Sequence, residues 1–544
     1  MSGAHRLVEA LEMLGVDIAF GLPGVHNLSI WNALARSRIR LVGVRHEQTA
    51  VYAADGYARA TGRLGVAVVT SGPGAANTLA ATGEAMASRS PVLVIATDIP
   101  TSLRRPGVYR GVLHETRDMA AMFAPVTKAS SQVPAAADIG YSVITSGRLA
   151  LAAATGPVYL GVPTDLLDHK APPTRQLPPA PTPGGIDAAE LQVAVDLLNG
   201  ATRPLIWAGG GAVSAGAGAS IGELANRLGA PVITTYMGRG VVPPGHPSAV
   251  TGPVHEPAVG QLWDDADVVL AIGTDFDGMM TQNWAMPPPR ALVSVNIDDV
   301  EARKNYAPDV ALIGDAREVV EILLTRVSTR PPSPHLRSTL DGIAAQVRSS
   351  VTLDAPGAQQ LLAVMERCLS PETIVVADMC IPGYWLAGYR QVPLPRKLAY
   401  PVGWGTLGFA FPASLGAALA DVGRVVCVVG DGGFLFACGE LATIVDAQIP
   451  VTVVLVDDGG YGMLRFDQHM SGYEANGVDL ARPDFSALVA SFGIRVDAVS
   501  AFDDRFEQML IDALAANEAR VIIVETALKP PRTTSPRWYR RAAH

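Results

Sequence analysis

The chain has 544 residues, of which 49% are hydrophobic and 17% charged, with a formal net charge of −9. At roughly 150 residues per domain this length predicts about three to four domains with sizeable cores. An acidic balance without a basic stripe argues against a nucleic-acid partner, and no apolar run reaches the length of a membrane span. The N-terminal MSGAHRLVEALEML reads as an amphipathic helix and not as a secretory signal. Cys368, Cys380, Cys427 and Cys438 show no metal-ligand pattern, so a reduced, cytoplasmic setting is expected.

Residues 1–170 alternate helical patterns with apolar runs at 17–20, 40–44, 65–69, 92–96 and 158–162, which predicts a parallel sheet covered by helices on both faces. Gly21-Leu22-Pro23-Gly24-Val25-His26 follows the first run and Ser71-Gly72-Pro73-Gly74-Ala75-Ala76-Asn77 the third. Either alone reads as a strand-end turn, and His26 as a loop histidine. Between them, RHEQTAVYAADGYARATGR (45–63) places Glu47 where a strand gives way to a helix rich in small apolar residues. A carboxylate there is partly desolvated and suited to proton exchange with a ring nitrogen; the plainer role is a charge favoured by the helix dipole. His114 and Glu115, in GVLHETRDMAAMF, read as a loop.

A proline-rich segment, HKAPPTRQLPPAPTPGG, supplies an extended linker over 171–185. A second α/β pattern follows at 186–330, with strands expected at 204–208, 231–235, 268–272 and 291–297. Gly209-Gly210-Gly211 is a weak phosphate-loop signal, and Asp298 stands where an acidic residue can bond an adenosine ribose. TRPPSPH (329–335) marks the next boundary, with 331–354 expected as a linker.

The third unit, 355–530, repeats the alternation, with strands at 373–377, 425–429, 451–456 and 521–524, and a basic tail at 531–544. Its centre is one β-α-β unit with Gly430-Asp431-Gly432-Gly433 after one strand and Asp457-Asp458-Gly459-Gly460 after the next. Glycines at a strand end offer N–H groups to an oxyanion, and the carboxylates can hold a divalent cation against it. Open α/β sheets bind ligands at that end, so the unit suits a metal ion and a diphosphate.

Asp431 and Asp458 stand 27 positions apart, and Tyr461-Gly462-Met463 follows. This resembles the cofactor motif of thiamine-diphosphate (ThDP) enzymes of the acetolactate synthase-like and benzaldehyde lyase-like group, which pairs a GDG with an Asn-Asn. The resemblance implies three consecutive doubly wound parallel-sheet domains, pyrimidine-binding, central and diphosphate-binding. It implies ThDP held by Gly430, Asp431, Gly432, Gly433, Tyr461, Gly462 and Met463, and a metal (Mg²⁺, or Ca²⁺ or Mn²⁺) held by Asp431, Asp458 and the Gly460 carbonyl. One departure is plain: the pair is Asp457-Asp458, which adds a negative charge beside the diphosphate.

By the same resemblance Glu47 contacts the aminopyrimidine and promotes ylide formation. Pro23, Gly24, Gly72, Pro73 and Asn77 line the pyrimidine and substrate pocket, and Asp378, Met379 and Cys380 lie near the diphosphate. In Gly403-Trp404-Gly405-Thr406-Leu407-Gly408-Phe409, Gly405 accepts from the 4′-amino group and Leu407 props the cofactor in its V shape. His26 matches the proton-relaying histidine of benzaldehyde lyase-like and cyclic-dione-cleaving relatives. His114 falls in a loop that enters the active site from a neighbouring subunit. The central domain is of the kind that can carry FAD or ADP. Asp275-Phe276-Asp277-Gly278-Met279 lacks both arginines of the relatives' stretch, so flavin is not expected to be obligatory.

The implied protein is a homodimer or homotetramer acting on small keto acids and aldehydes, with no nucleic acid or membrane partner. It would form an enamine from a 2-keto acid or related carbonyl and ligate it to a second carbonyl. Alternatives are a 2-keto acid decarboxylase, a benzaldehyde lyase or cyclic-dione type C–C lyase, or, outside enzymes, a catalytically silent ThDP- or nucleotide-binding subunit.

Overall fold

A computed structural model describes residues 1–105, 107–174, 185–330 and 335–532. Most of the expected proline-rich linker and nearly all of the basic tail lie outside the described residues. Among the described residues, seventeen strands form three sheets in which every neighbouring pair runs parallel. The first sheet comprises β1 (Ile18–Gly21), β2 (Arg40–Gly43), β3 (Gly65–Val69), β4 (Val92–Asp98), β5 (Ala129–Gln132) and β6 (Val158–Pro163), in the order β2-β1-β3-β4-β6-β5. The second comprises β7 (Pro204–Ala208), β8 (Val232–Thr234), β9 (Val268–Ile272), β10 (Leu292–Asn296) and β11 (Val310–Ile313), ordered β11-β10-β9-β7-β8. The third comprises β12 (Ile374–Ala377), β13 (Leu398–Ala399), β14 (Val425–Gly430), β15 (Val451–Asp457), β16 (Arg495–Val499) and β17 (Arg520–Glu525). Its order, β13-β12-β14-β15-β17-β16, repeats that of the first sheet strand for strand. Among the described residues no helix is long and apolar enough to cross a membrane.

Central strands such as β3, β4 and β14 are buried nearly throughout, as β-branched runs covered on both faces should be. The first and third sheets are held side by side by helices Glu47–Thr61 and Ala410–Leu419. Their backbones meet closely: a Cβ on Gly56 would lie 1.9 Å from the Ala413 carbonyl oxygen, and one on Gly416 1.8 Å from that of Ala53. Arg59 completes the junction, bonding Asp55, Glu84 and the Tyr400 carbonyl, with its guanidinium 4.6 Å from the Phe409 ring centre.

Within the expected linker 331–354, helix Leu336–Asp354 buries Leu340, Ala344, Val347 and Val351, and the last two join a core shared with the second and third sheets. Asp298 is engaged as a helix cap, its Oδ1 accepting from the N–H groups of Val300 and Glu301.

Candidate active site

Two clusters form at the carboxyl ends of the first and third sheets, where strands hand over to loops. In the first, β2 ends in a turn that presents Glu47. The N–H groups of Arg45 and His46 both donate to the Glu440 carboxylate at 3.0 Å, so the third domain fixes this turn. His46 then caps the helix by accepting from Gln48 N–H. Glu47 is 9% exposed, and its Oε2 accepts from Asn77 Nδ2 at 3.0 Å. Asn77 belongs to the loop after β3, and Gly74 of that loop lies so close that a Cβ there would come 3.3 Å from Glu47 Oε1.

The loop after β1 brings His26 to the same end. Asn27, fully buried, braces it by accepting from Gly24 N–H at 2.8 Å and donating to the Leu22 carbonyl at 3.0 Å. Pro23 and Val25 face outward. His26 Nδ1 shares a hydrogen bond with Ser71 Oγ, and Ser71 Oγ shares another with His114 Nδ1 at 3.0 Å. The two imidazoles meet edge to face at 5.2 Å. A serine hydroxyl has one proton, so it can donate to only one of the two rings and must accept from the other. When both rings are neutral they are therefore opposite tautomers, one presenting a protonated Nε2 and the other a free one. Burial first, then the charge of His114, holds His26 below the usual histidine range.

Ser71 is the residue that the sequence reading quoted but did not single out. Its only signal was its place beside Gly72. That glycine has φ of +58°, and a Cβ on it would lie 2.7 Å from His114 Cβ. His114 itself has φ of +66°.

In the third domain Asp431 opens helix Asp431–Leu435 at the end of β14, and Asp458 follows β15. Burial, then the charges of Asp458 and Asp457, push the Asp431 carboxyl up to about 7. Asp458 is also raised, chiefly by burial, and its Oδ1 is buried without a partner. A Cβ on Gly462 would lie 2.1 Å from Asp458 Oδ2, and Gly460 holds φ of +149° against the Val478 carbonyl. Two crowded carboxylates, one with an orphaned oxygen, are a donor set short of a hard cation. Among the described residues no group of three His, Cys, Asp or Glu side chains could hold a metal, so backbone carbonyls and ligand oxygens would complete the coordination.

Around this pair, Tyr461 packs against Gly432, where a Cβ would lie 2.6 Å from its ring, and Met463 is partly buried. Leu407 lies over Gly433, with its Cδ1 3.4 Å from the Cβ position. A Cβ on Gly405 would come 3.3 Å from Met379 Cε, and Tyr400 Oη lies 3.1 Å from the Met379 sulfur. Cys380 stands beside Gly430, and burial pushes its thiol up.

Asp378 lies beside the 430–433 turn, its Oδ2 2.2 Å from where a Cβ on Gly433 would stand. Its side chain is fully buried and accepts from Gly408 N–H at 3.0 Å and Phe409 N–H at 3.1 Å. Both oxygens thus brace the 403–409 loop, and burial raises this carboxyl to about 6. Thr406 of that loop donates to Glu84 Oε2 at 2.8 Å, tying it to the first domain. Arg482, which sequence reasoning did not find, pairs with Asp457. Within one chain, among the described residues, no hydrogen bond or ion pair joins His26, Glu47 or His114 to Asp431 or Asp458.

The comparisons agree along the whole length. Residues 1–122, 191–323 and 379–524 match, in turn, the N-terminal TPP-binding, central and C-terminal TPP-binding domains of the thiamine pyrophosphate enzymes. The chain is 32% identical to the probable acetolactate synthase large subunit of Methanocaldococcus jannaschii, over 95% of this chain and 90% of the relative. It is 34% identical to a probable 2-ketoarginine decarboxylase of Pseudomonas aeruginosa, over 91% and 89% respectively. In fold it resembles the Rhodococcus jostii RHA1 thiamine diphosphate-dependent 4-hydroxybenzoylformate decarboxylase, with a TM-score of 0.82 at 24% identity, covering 98% of this chain and 100% of that one. With its three matched domains and these relatives, the chain belongs to the thiamine-diphosphate-dependent enzymes of the acetolactate synthase and decarboxylase type, which form and cleave carbon–carbon bonds.

Proposed function

We propose that the chain is a ThDP- and Mg²⁺-dependent carboligase that takes a 2-keto acid as donor and adds its acyl carbon to a second carbonyl. The observation that carries this reading is the similarity to acetolactate synthases over more than nine-tenths of the chain, including Escherichia coli isozyme 3 at 32% identity over 91%. Asp431, Asp458 and the Gly460 carbonyl would hold Mg²⁺. The N–H groups of the 430–433 turn would meet the diphosphate, with Gly405 and Leu407 under the ring system. When bound, the cofactor supplies a nucleophilic carbon and an electron sink for the cleaved bond.

The chain's own residues do the rest. Glu47, buried and oriented by Asn77, exchanges a proton with the pyrimidine ring. His26, Ser71 and His114 form a relay that offers one proton donor and one acceptor to the substrate oxygens. As the family resemblance implies, a second copy is taken to complete each site, giving a dimer or tetramer. Four free cysteines support a reduced, cytoplasmic location.

A second reading, simple decarboxylation, is favoured by the relay itself, since an acid beside the reacting carbon ends the reaction by protonation, and by the decarboxylase relatives. The deciding experiment is a mass-spectrometric product screen with pyruvate and benzoylformate, each with and without an aldehyde, using Glu47→Gln as control. A 2-hydroxyketone or acetolactate supports carboligation, and aldehyde alone supports decarboxylation. Equal inertness of wild type and variant would overturn both and favour a silent subunit. Size measurement by light scattering, with activity restored on mixing Glu47→Gln and Asp431→Asn chains, tests the shared site.

A further inference from the structure

Arg239 and Arg390 line one cavity of about 30 Å³ between the second and third domains. Arg239 follows β8 and is 9% exposed; Arg390 closes helix Ile381–Tyr389 and is 2% exposed. Arg239 gives one N–H to the Gly388 carbonyl, but its Nε has no partner. Arg390 has no partner at Nε or at Nη1. Among the described residues neither guanidinium forms an ion pair, and Glu366 acts on Arg390 only from beyond ion-pair distance. Thr234, Thr251 and Gln391 supply further polar lining.

This cavity is separate from the crevice at the strand ends. Gly238 packs onto the end of β7, where a Cβ would lie 2.2 Å from the Ala208 carbonyl oxygen. The next two residues turn the other way. Arg239 reaches Gly388, and Gly240, with φ of +80°, sits so that a Cβ would lie 2.1 Å from the Leu394 carbonyl oxygen.

A buried guanidinium cannot shed its charge at neutral pH, and leaving two of them unpaired in one cavity is unfavourable unless an anion compensates. Their forked donors fit oxyanions best. We propose that the Arg239–Arg390 cavity is a binding site for one small oxyanion, inorganic or a short carboxylate, which joins the second and third domains.

The test uses the ThDP- and Mg²⁺-loaded protein in sodium chloride, sulfate or acetate at matched ionic strength, wild type beside Arg390→Met. The expected result is a saturable rise of several degrees in the unfolding midpoint of wild type with an oxyanion. The variant should show only the linear salt effect common to proteins. Sulfate and acetate arms distinguish an inorganic ligand from a carboxylate. Equal responses of the two proteins, or a variant more stable than wild type in every salt, would overturn the proposal, because the second is what removing an uncompensated buried cation gives. Should the variant not fold, wild-type crystals soaked in selenate decide: an anomalous peak within hydrogen-bonding reach of both guanidiniums supports the site, and an empty cavity at saturating selenate refutes it.

Discussion

Arg482 donates from both Nε and Nη2 to a single oxygen of Asp457, the Nε bond measuring 3.1 Å. Asp457, like Asp458, places a carboxylate where the family pattern has an amide, and its side chain is only 3% exposed. The pairing neutralises that charge before it can repel a diphosphate. Removing Arg482 leaves a buried carboxylate unpaired, normally a large cost, reduced here because the Arg482 side chain is 46% exposed. Arg482→Gln should weaken ThDP binding about tenfold, on the order of 1.4 kcal/mol, as read by calorimetric titration. The double variant Arg482→Gln with Asp457→Asn should recover most of that loss. A double variant as weak as the single one would show that Arg482 acts through something other than this charge.

The His26–Ser71–His114 relay carries a pH signature. Burial and the neighbouring His114 depress His26, so the fold holds it neutral. Its contribution to stability is therefore fully present above the unfolded value near 6.5 and is lost as pH falls through the lower folded value. If neutral His26 is the working form, the acid limb of kcat/KM lies below pH 6.5. Replacing His114 by Gln removes a positive neighbour and should move that limb upward. A limb that stays in place would mean that another group controls it.

Gly72 sets the relay's geometry. Its positive φ already disfavours a side chain, and the Cβ of an alanine would press within 2.8 Å of His114 Cα and backbone oxygen. Gly72→Ala should cost about 1–3 kcal/mol of local order and displace His114. Its kcat should fall to match that of His114→Ala. A kcat left at the wild-type value would show that Gly72 does not set the position of His114.

Chain order and chemistry were legible where burial is complete. The runs 65–69, 204–208 and 268–272 coincide with β3, β7 and β9 because strands covered on both faces are continuously apolar. Edge strands β2 and β8 coincide with the runs 40–44 and 231–235, but other edge strands escaped. β5 (ASSQ) and β16 (RVDAV) are half-exposed and mixed in character, and β13 is two residues long. Helix Leu336–Asp354 was hidden by the prolines before it, although Leu340, Ala344, Val347 and Val351 follow helical spacing. Asp431 and Asp458 were visible as motif residues. Asp378 was placed near the diphosphate because it follows a strand, but its bonds to two loop amides beside Gly433 are visible only in the fold. Ser71, Arg482, Arg239 and Arg390 gain their significance only from neighbours remote in sequence.

The metal cluster gives the final test. Asp431 and Asp458 are both held above the usual carboxylate range by burial, and the orphaned Asp458 Oδ1 has no protein donor to satisfy it. Dialysis against a chelator should therefore release ThDP, and Mg²⁺ should restore binding. Because both side-chain ligands are carboxylates, Ca²⁺ and Mn²⁺ should substitute for binding as well. Asp458→Asn keeps an oxygen ligand but removes its charge. It should weaken Mg²⁺ about tenfold, by roughly the difference between a charged and a neutral contact, and leave the fold intact. Asp431→Asn should lose more, since Asp431 opens the helix that presents the 430–433 turn. Metal titration followed by quenching of Trp404, which is 56% exposed on the 403–409 loop, provides the readout without turnover. If chelation leaves ThDP bound, the carboxylate pair does not hold the cation and the assignment of these two residues fails.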